Sequence, residues 1–112
     1  MAARTTPRAA RSVRGSRTGR PVMALLDLLG RRWTLRVLWE LRDAPHTFRA
    51  LQDACGSVSP AVLNQRLREL RDARLVELAD EGGYGLSALG RELLERFVPM
   101  VAWAEKWARV RG

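Results

Sequence analysis

The residues that carry most enzyme and metal chemistry are scarce in this sequence: its 112 positions hold one cysteine, Cys55, and one histidine, His46. A single cysteine cannot close an internal disulfide, and no cluster of His and Cys offers the ligand spacing of a zinc or iron site. No acid–base pair, no nucleophile beside a base and no phosphate-cradling glycine loop can be read along the chain, so no enzymatic activity and no cofactor are expected. Apolar runs never reach membrane-spanning length, which leaves no membrane partner to expect. The first twenty residues are rich in Arg, Ala and Ser in the manner of a transit peptide. No apolar signal-peptide core follows them, and the chain is read as cytoplasmic. Lysine is nearly absent too, Lys106 being the only one among 20 basic residues, a bias that fits a GC-rich genome better than selection for guanidinium chemistry.

What is present is positive charge and enough apolar surface for one small core, 46% of the residues being hydrophobic, four of them Trp. The formal net charge is +8 and the sequence pI about 11.4, which favours polyanionic partners. Its distribution is uneven. Arg4, Arg8, Arg11, Arg14, Arg17 and Arg20 precede Pro21 with no acid among them, so the remainder carries 14 basic against 12 acidic residues. Residues 1–20 lack apolar periodicity and cannot recover the entropy cost of ordering, which predicts a flexible arginine-rich arm. Residues 21–112 are expected to form the folded domain.

From Pro21 the pattern turns helical. Val22, Leu25, Leu26, Leu28 and Leu29 make a short apolar helix that Gly30 is expected to end in a left-handed conformation. Trp33, Leu35, Val37, Leu38 and Leu41 form a second helix, mostly core, closed by Ala44-Pro45. Thr47 can cap a third, with Phe48, Leu51 and Cys55 on one face and Gly56 at its end. Ser59-Pro60 supplies a cap followed by proline where its missing N–H costs nothing, and a fourth helix runs to about Ala73. Leu75 to Ala79 and Tyr84 to Leu86 read as a β-hairpin around Asp80-Glu81-Gly82-Gly83, whose glycines suit positive φ. Ser87 caps a last helix with two apolar faces. One holds Leu89, Leu93, Leu94, Phe97, Val101, Ala104 and Ala108, the other Met100, Trp103, Trp107 and Val110, and Pro99 is expected to bend or break it.

Helix, helix, short turn, helix and then a glycine-tipped hairpin is the order of a winged helix-turn-helix, in which the last helix of the trio enters the major groove. Stepping 100° per residue from Leu63 gathers Leu67, Leu70 and Ala73 into a buried stripe. Ala61, Asn64, Gln65 and Arg68 fall opposite, with Arg71 at the edge. Amide forks and a guanidinium suit base edges and phosphates. A solvated helix face would carry the same polar residues, but the Ser-Pro start, the short turn and the hairpin favour DNA.

Over roughly Pro21 to Glu105 the chain resembles the HxlR-type transcriptional regulators. The resemblance rests on Leu28-Leu29-Gly30-Arg31-Arg32-Trp33-Thr34-Leu35 with Val37-Leu38-Trp39-Glu40-Leu41 behind it, and on Phe48-Arg49-Ala50-Leu51. It rests further on Ser57 through Leu70 with Leu75-Val76-Glu77, and on Tyr84 through Leu94. It implies a mainly α fold with a small hairpin, a winged helix-turn-helix whose N- and C-terminal helices form a dimer interface. Family members often carry a cysteine before the Pro-Val that opens helix one, through which some sense oxidants or electrophiles. Arg20 stands there instead. The wing tip is acidic, Asp80 and Glu81, where minor-groove entry asks for Arg or Lys. The last helix adds Trp103 and Trp107 one turn apart.

The expected function is sequence-specific binding of double-stranded DNA at a pseudo-palindromic operator by a homodimer, more often to repress than to activate. Twofold pairing would set two recognition helices roughly 34 Å apart. Asn64, Gln65 and Arg68 would contact bases, and Arg31, Arg32, Arg49 and Arg71 phosphates, with Ser59 and Ala61 at the helix start. Surface charge is the competing account of Arg31, Arg32 and Arg49. Arg66 lies nearer the buried stripe, where an ion pair with Glu69 or Asp72 competes with a DNA contact. Val22, Leu25, Leu26, Phe97, Met100, Val101, Trp103, Ala104 and Trp107 exceed what one small core can cover and are assigned to the dimer. Cys55 reads as an inert buried thiol and His46 as a surface residue. A protein-protein interaction module built on the Trp-rich last helix is the alternative. No residue pattern identifies a small-molecule effector.

Overall fold

The computed structural model describes residues 20–112, in the order α1 (Pro21–Leu29), α2 (Thr34–Glu40), α3 (Phe48–Cys55), α4 (Pro60–Asp72), β1 (Val76–Leu78), β2 (Tyr84–Leu86) and α5 (Ala88–Arg111). This is the winged helix-turn-helix order expected from the sequence. Apart from Arg20, the predicted arm lies outside the described residues. Among those described, no helix is long and apolar enough to cross a membrane. The chain divides into two compact units, one ending at Leu35 and the other running from Arg36 to Gly112, so that α2 begins in the first and continues in the second.

In the first unit Pro21 occupies the first helical turn of α1, where its fixed φ is already helical. Gly30 ends the helix, but not in the left-handed conformation expected: its φ is −79°, and its N–H still bonds the Leu26 carbonyl oxygen at 2.9 Å. The reversal of φ comes three residues later, at Trp33, with φ 79°. Arg31 pairs with Asp27 at 3.0 Å, and the Arg32 guanidinium lies over the Trp33 ring at 5.7 Å. Leu29 and Thr34 are buried, whereas Val22, Met23, Leu26 and Leu35 are exposed.

The second unit is built on capped helices. Thr47 accepts a hydrogen bond from the Ala50 N–H at 3.0 Å, Ser59 from Val62 at 3.2 Å and Ser87 from Gly90 at 2.9 Å, which satisfies one orphan donor at the start of α3, α4 and α5. The core comprises Val37, Leu38, Leu41, Leu51, Cys55, Val58, Leu63, Leu67, Leu70, Leu75, Val76, Leu86 and Leu94. Helix two is less wholly core than expected, since Leu35 and Trp39 stay exposed, Trp39 beneath the Arg42 guanidinium at 4.2 Å. Arg36 bonds both Glu40 at 2.8 Å and the Ala54 carbonyl oxygen at 3.0 Å, tying α2 to the end of α3.

α4 ends in a Schellman cap: Leu75 N–H bonds the Leu70 carbonyl at 2.9 Å and Arg74 N–H that of Arg71 at 3.0 Å. Arg74 takes the left-handed position, φ 66°, at a cost of roughly 1–2 kcal/mol that glycine would avoid. The hairpin pairs Val76 with Leu86, Glu77 with Gly85 and Leu78 with Tyr84. Of its two tip glycines only Gly82 has positive φ, 84°; Gly83 instead lets the backbone approach the His46 carbonyl, 2.8 Å from where its Cβ would stand. That approach is a feature the sequence hid. His46 exchanges backbone hydrogen bonds with Tyr84, at 2.9 and 2.7 Å, and adds a one-residue third strand to the wing.

α5 runs unbroken across Pro99, so of the bend or break expected there the break does not occur. Proline removes one helical hydrogen bond here, to the carbonyl of Glu95, itself an exposed residue. The inner face of α5 stops early: Leu94 is buried, Leu93 and Phe97 are half-buried, and every residue from Val98 to Gly112 is exposed.

Candidate nucleic-acid interface

The alternation of buried and exposed positions on α4 decides which of its faces can meet a partner. Leu63, Leu67 and Leu70 are at most 1% exposed and lock the helix onto the core, so Ala61, Asn64, Gln65, Arg68 and Arg71 face outward. The structure thus brings together the residues assigned to base recognition. A hydrogen-bonded chain links several of them: Arg68 Nη1 donates to Gln65 Oε1 at 3.1 Å, and Gln65 Nε2 donates to Glu69 Oε2 at 2.9 Å. Glu69 also takes Arg66 at 3.0 Å, a pair whose side chains are only 18% and 9% exposed. Arg66 is therefore an internal ion pair, one of the two readings its position left open. Its Glu69 partner in turn sets the rotamer of Gln65. Asn64 makes no side-chain hydrogen bond among the described residues. It can present its amide to a base edge without first breaking a bond.

The predicted phosphate contacts divide. Arg71 sits on α4 itself, in its last turn, with no ion pair among the described residues. Arg49, on α3, approaches Asp53 at 3.9 Å, but both side chains are largely in water, where such a pair is worth under about 1 kcal/mol and exchanges readily for a phosphate. Arg31 and Arg32 belong to the first unit, where Asp27 and the Trp33 ring already engage them. Ser59 is spent on capping through its lone pair, although its hydroxyl proton remains available. One further arginine shares this surface. Arg74 lines an open groove of about 680 Å³ with Arg68, Arg71, Asp72, Val76, Glu77, Leu78 and Ser87. The signal was the helix end Asp72-Ala73-Arg74-Leu75, which has no glycine where the chain must reverse.

The wing tip is exposed and acidic, as expected from Asp80 and Glu81. Among the described residues no group of His, Cys, Asp and Glu could hold a metal ion. Cys55 is buried on α3, and burial pushes its thiol pKa up; Arg36 pulls it down and Glu40 adds to the rise. A raised pKa depletes the thiolate at every pH below it, and only the thiolate attacks electrophiles. Alkylation of the native protein by iodoacetamide at pH 8 is accordingly expected to be more than about tenfold slower than that of the urea-unfolded chain, with its inflection displaced to higher pH. Equal rates in the two states would show the thiol to be accessible and poised.

The HxlR-like helix-turn-helix family matches residues 28–111. An uncharacterized HTH-type transcriptional regulator of Methanocaldococcus jannaschii, MJ0925, is 30% identical over 94 residues, covering 80% of this chain and 87% of that protein. The HTH-type transcriptional regulator YodB of Bacillus subtilis is 31% identical over 87 residues, 72% of this chain and 78% of its own. The crystal structure of quinone-bound YodB superposes with a TM-score of 0.71 at 30% identity, over 76% of this chain and 96% of that one.

Proposed function

Since this chain belongs to the HxlR-like helix-turn-helix family of transcriptional regulators, we propose that it is a cytoplasmic, non-enzymatic repressor that binds a pseudo-palindromic operator as a homodimer. The observation that carries this reading is the outward face of α4, where Asn64, Gln65 and Arg68 stand exposed over a leucine stripe at most 1% exposed. Base contacts come from those three, helped by Ser59 and Ala61 at the helix start. Arg31, Arg32, Arg49 and Arg71 serve the backbone, and the arginine arm adds salt-sensitive affinity that is largely blind to sequence. Pairing of two chains draws on the exposed apolar residues of α5, Met100, Val101, Trp103, Ala104 and Trp107, with Phe97 at their edge, and on Val22, Leu25 and Leu26 of α1.

Selection of bound fragments from random duplex DNA tests this reading, and a palindrome with half-sites one helical turn apart is the expected product. Arg68→Ala is then expected to relax the preference at one base pair of each half-site by roughly 10- to 100-fold, the equivalent of about 1–3 kcal/mol, while leaving the other positions alone. Enrichment of no motif would reject sequence-specific binding. The acidic tip at Asp80 and Glu81 favours a second reading, a winged-helix module that contacts another protein through the Trp-rich end of α5. That module would retain no DNA over excess competitor. Attack of this chain's one thiol on an electrophile is disfavoured, because Cys55 is buried with a raised pKa.

A further inference from the structure

We propose that Arg74 is a DNA-phosphate contact, which with Arg71 turns the groove beside the end of α4 into a seat for one strand of the duplex backbone, with the base-reading Arg68 at its edge. The inference rests on the DNA-binding reading and adds to it a residue that the helix pattern does not reveal, because Arg74 lies beyond α4. Four observations converge on it. Arg68, Arg71 and Arg74 line one groove, and none forms an ion pair among the described residues although Asp72 and Glu77 line the same groove. Three guanidiniums against two carboxylates leave a local charge of +1, concentrated where α4 gives way to β1.

The second observation is backbone strain. Arg74 holds a left-handed φ of 66° that glycine would adopt freely, so its side chain is retained at a position where having one is unfavourable. Third, that position is held from several directions. Arg74 N–H bonds the Arg71 carbonyl at 3.0 Å, its own carbonyl accepts from Ser87 Oγ at 2.7 Å, and Leu75 on its other side donates its N–H to the Leu70 carbonyl at 2.9 Å and accepts from the Ser87 N–H at 3.1 Å. A guanidinium launched from so fixed a Cα needs little further ordering to meet a phosphate. Finally, the groove shares Arg68 with the outward face of α4, so a duplex seated on that face carries its backbone along the groove.

Arg74→Gly separates charge from fold, because glycine keeps the left-handed cap and relieves its strain. The full-length variant is expected to melt at or above the parent temperature. Its affinity for the selected site and for random duplex is expected to fall alike, about three- to tenfold, with the slope of log K against log salt shallower by about 1 per protomer and the selected motif unchanged. Parent-like affinity and slope, while Arg68→Ala still loses discrimination, would overturn this inference and leave the DNA-binding reading standing. Failure of the parent to retain any duplex would remove both. A thermal shift with millimolar inorganic phosphate that depends on Arg74, without any Arg74-dependent change on DNA, would reassign the groove to a free phosphate ligand and so reject the backbone contact.

Discussion

Gly90→Ala is expected to cost the protein about 3 kcal/mol of folding stability. Gly90 lies in the first turn of α5 and passes directly over the start of the hairpin. A Cβ built there falls on the Leu75 carbonyl oxygen well inside contact distance, with the Leu75 carbonyl carbon at 3.0 Å and its Cα at 3.4 Å. The obstacle is backbone, not the tip of a movable side chain. Leu75 cannot retreat easily either, since its N–H closes the α4 cap on Leu70 and its carbonyl accepts from Ser87. Either α5 lifts off β2 or the cap opens. At fixed protein concentration the thermal midpoint is expected to drop by roughly 10–20 °C. Gly82→Ala is the informative comparison: it faces open space, but its φ of 84° strains any side chain, so a loss of roughly 1–2 kcal/mol is expected there. A Gly90→Ala variant melting within about 3 °C of the parent would mean that α5 and the hairpin do not approach as described.

The second large effect concerns association. Beyond Pro99 no residue of α5 is buried, and an isolated helix of that length is marginal in water, because its stability normally comes from packing an apolar face. Trp103 and Trp107, one turn apart, are 55% and 49% exposed, and Met100, Val101 and Val110 are exposed around them. A second copy covering this surface would both bury the tryptophans and hold the helix. Trp103→Glu combined with Trp107→Glu is therefore expected to weaken self-association by more than about 100-fold, at about 2 kcal/mol or more for each aromatic anchor. Sedimentation would show a monomer, and binding to a two-half-site operator would fall by roughly 100-fold or more as the avidity of paired sites disappears. The folded core is expected to persist, since neither tryptophan contributes to it. A double variant that sediments as a dimer would place the contact elsewhere.

The first effect arises where local pattern and three-dimensional packing part company, the second where the two agree. The caps at Thr47, Ser59 and Ser87 were legible because each uses a side chain to serve a backbone N–H three residues on, and all three form. The leucine stripe of α4 was legible for a similar reason: helical periodicity alone assigns Leu63, Leu67 and Leu70 to one side and Asn64, Gln65 and Arg68 to the other. Gly30 and Gly83 were misread. Glycine permits a left-handed turn without requiring one: the tip reversal falls on Gly82 alone, and two further reversals fall on Trp33 and Arg74, residues that no propensity argument would choose. Of the bend or break expected at Pro99 the break does not occur, since proline withholds a single N–H from a helix that continues on both sides of it.

Element order, capping and which face of α4 turns outward were determined by the sequence itself, since each depends on contacts within a turn or two of chain. Only the tertiary structure decided that Arg66 belongs to Glu69, that His46 joins the wing, that Gly90 lies against Leu75 and that Arg74 shares a groove with Arg68 and Arg71. Most of these link separate elements. The Arg66–Glu69 pair is local, at the i,i+3 spacing that a helix brings together, and packing decided only that Arg66 turns toward it with both side chains largely buried. Such choices follow from which faces the core has already claimed, a property of the packed whole to which no local pattern refers.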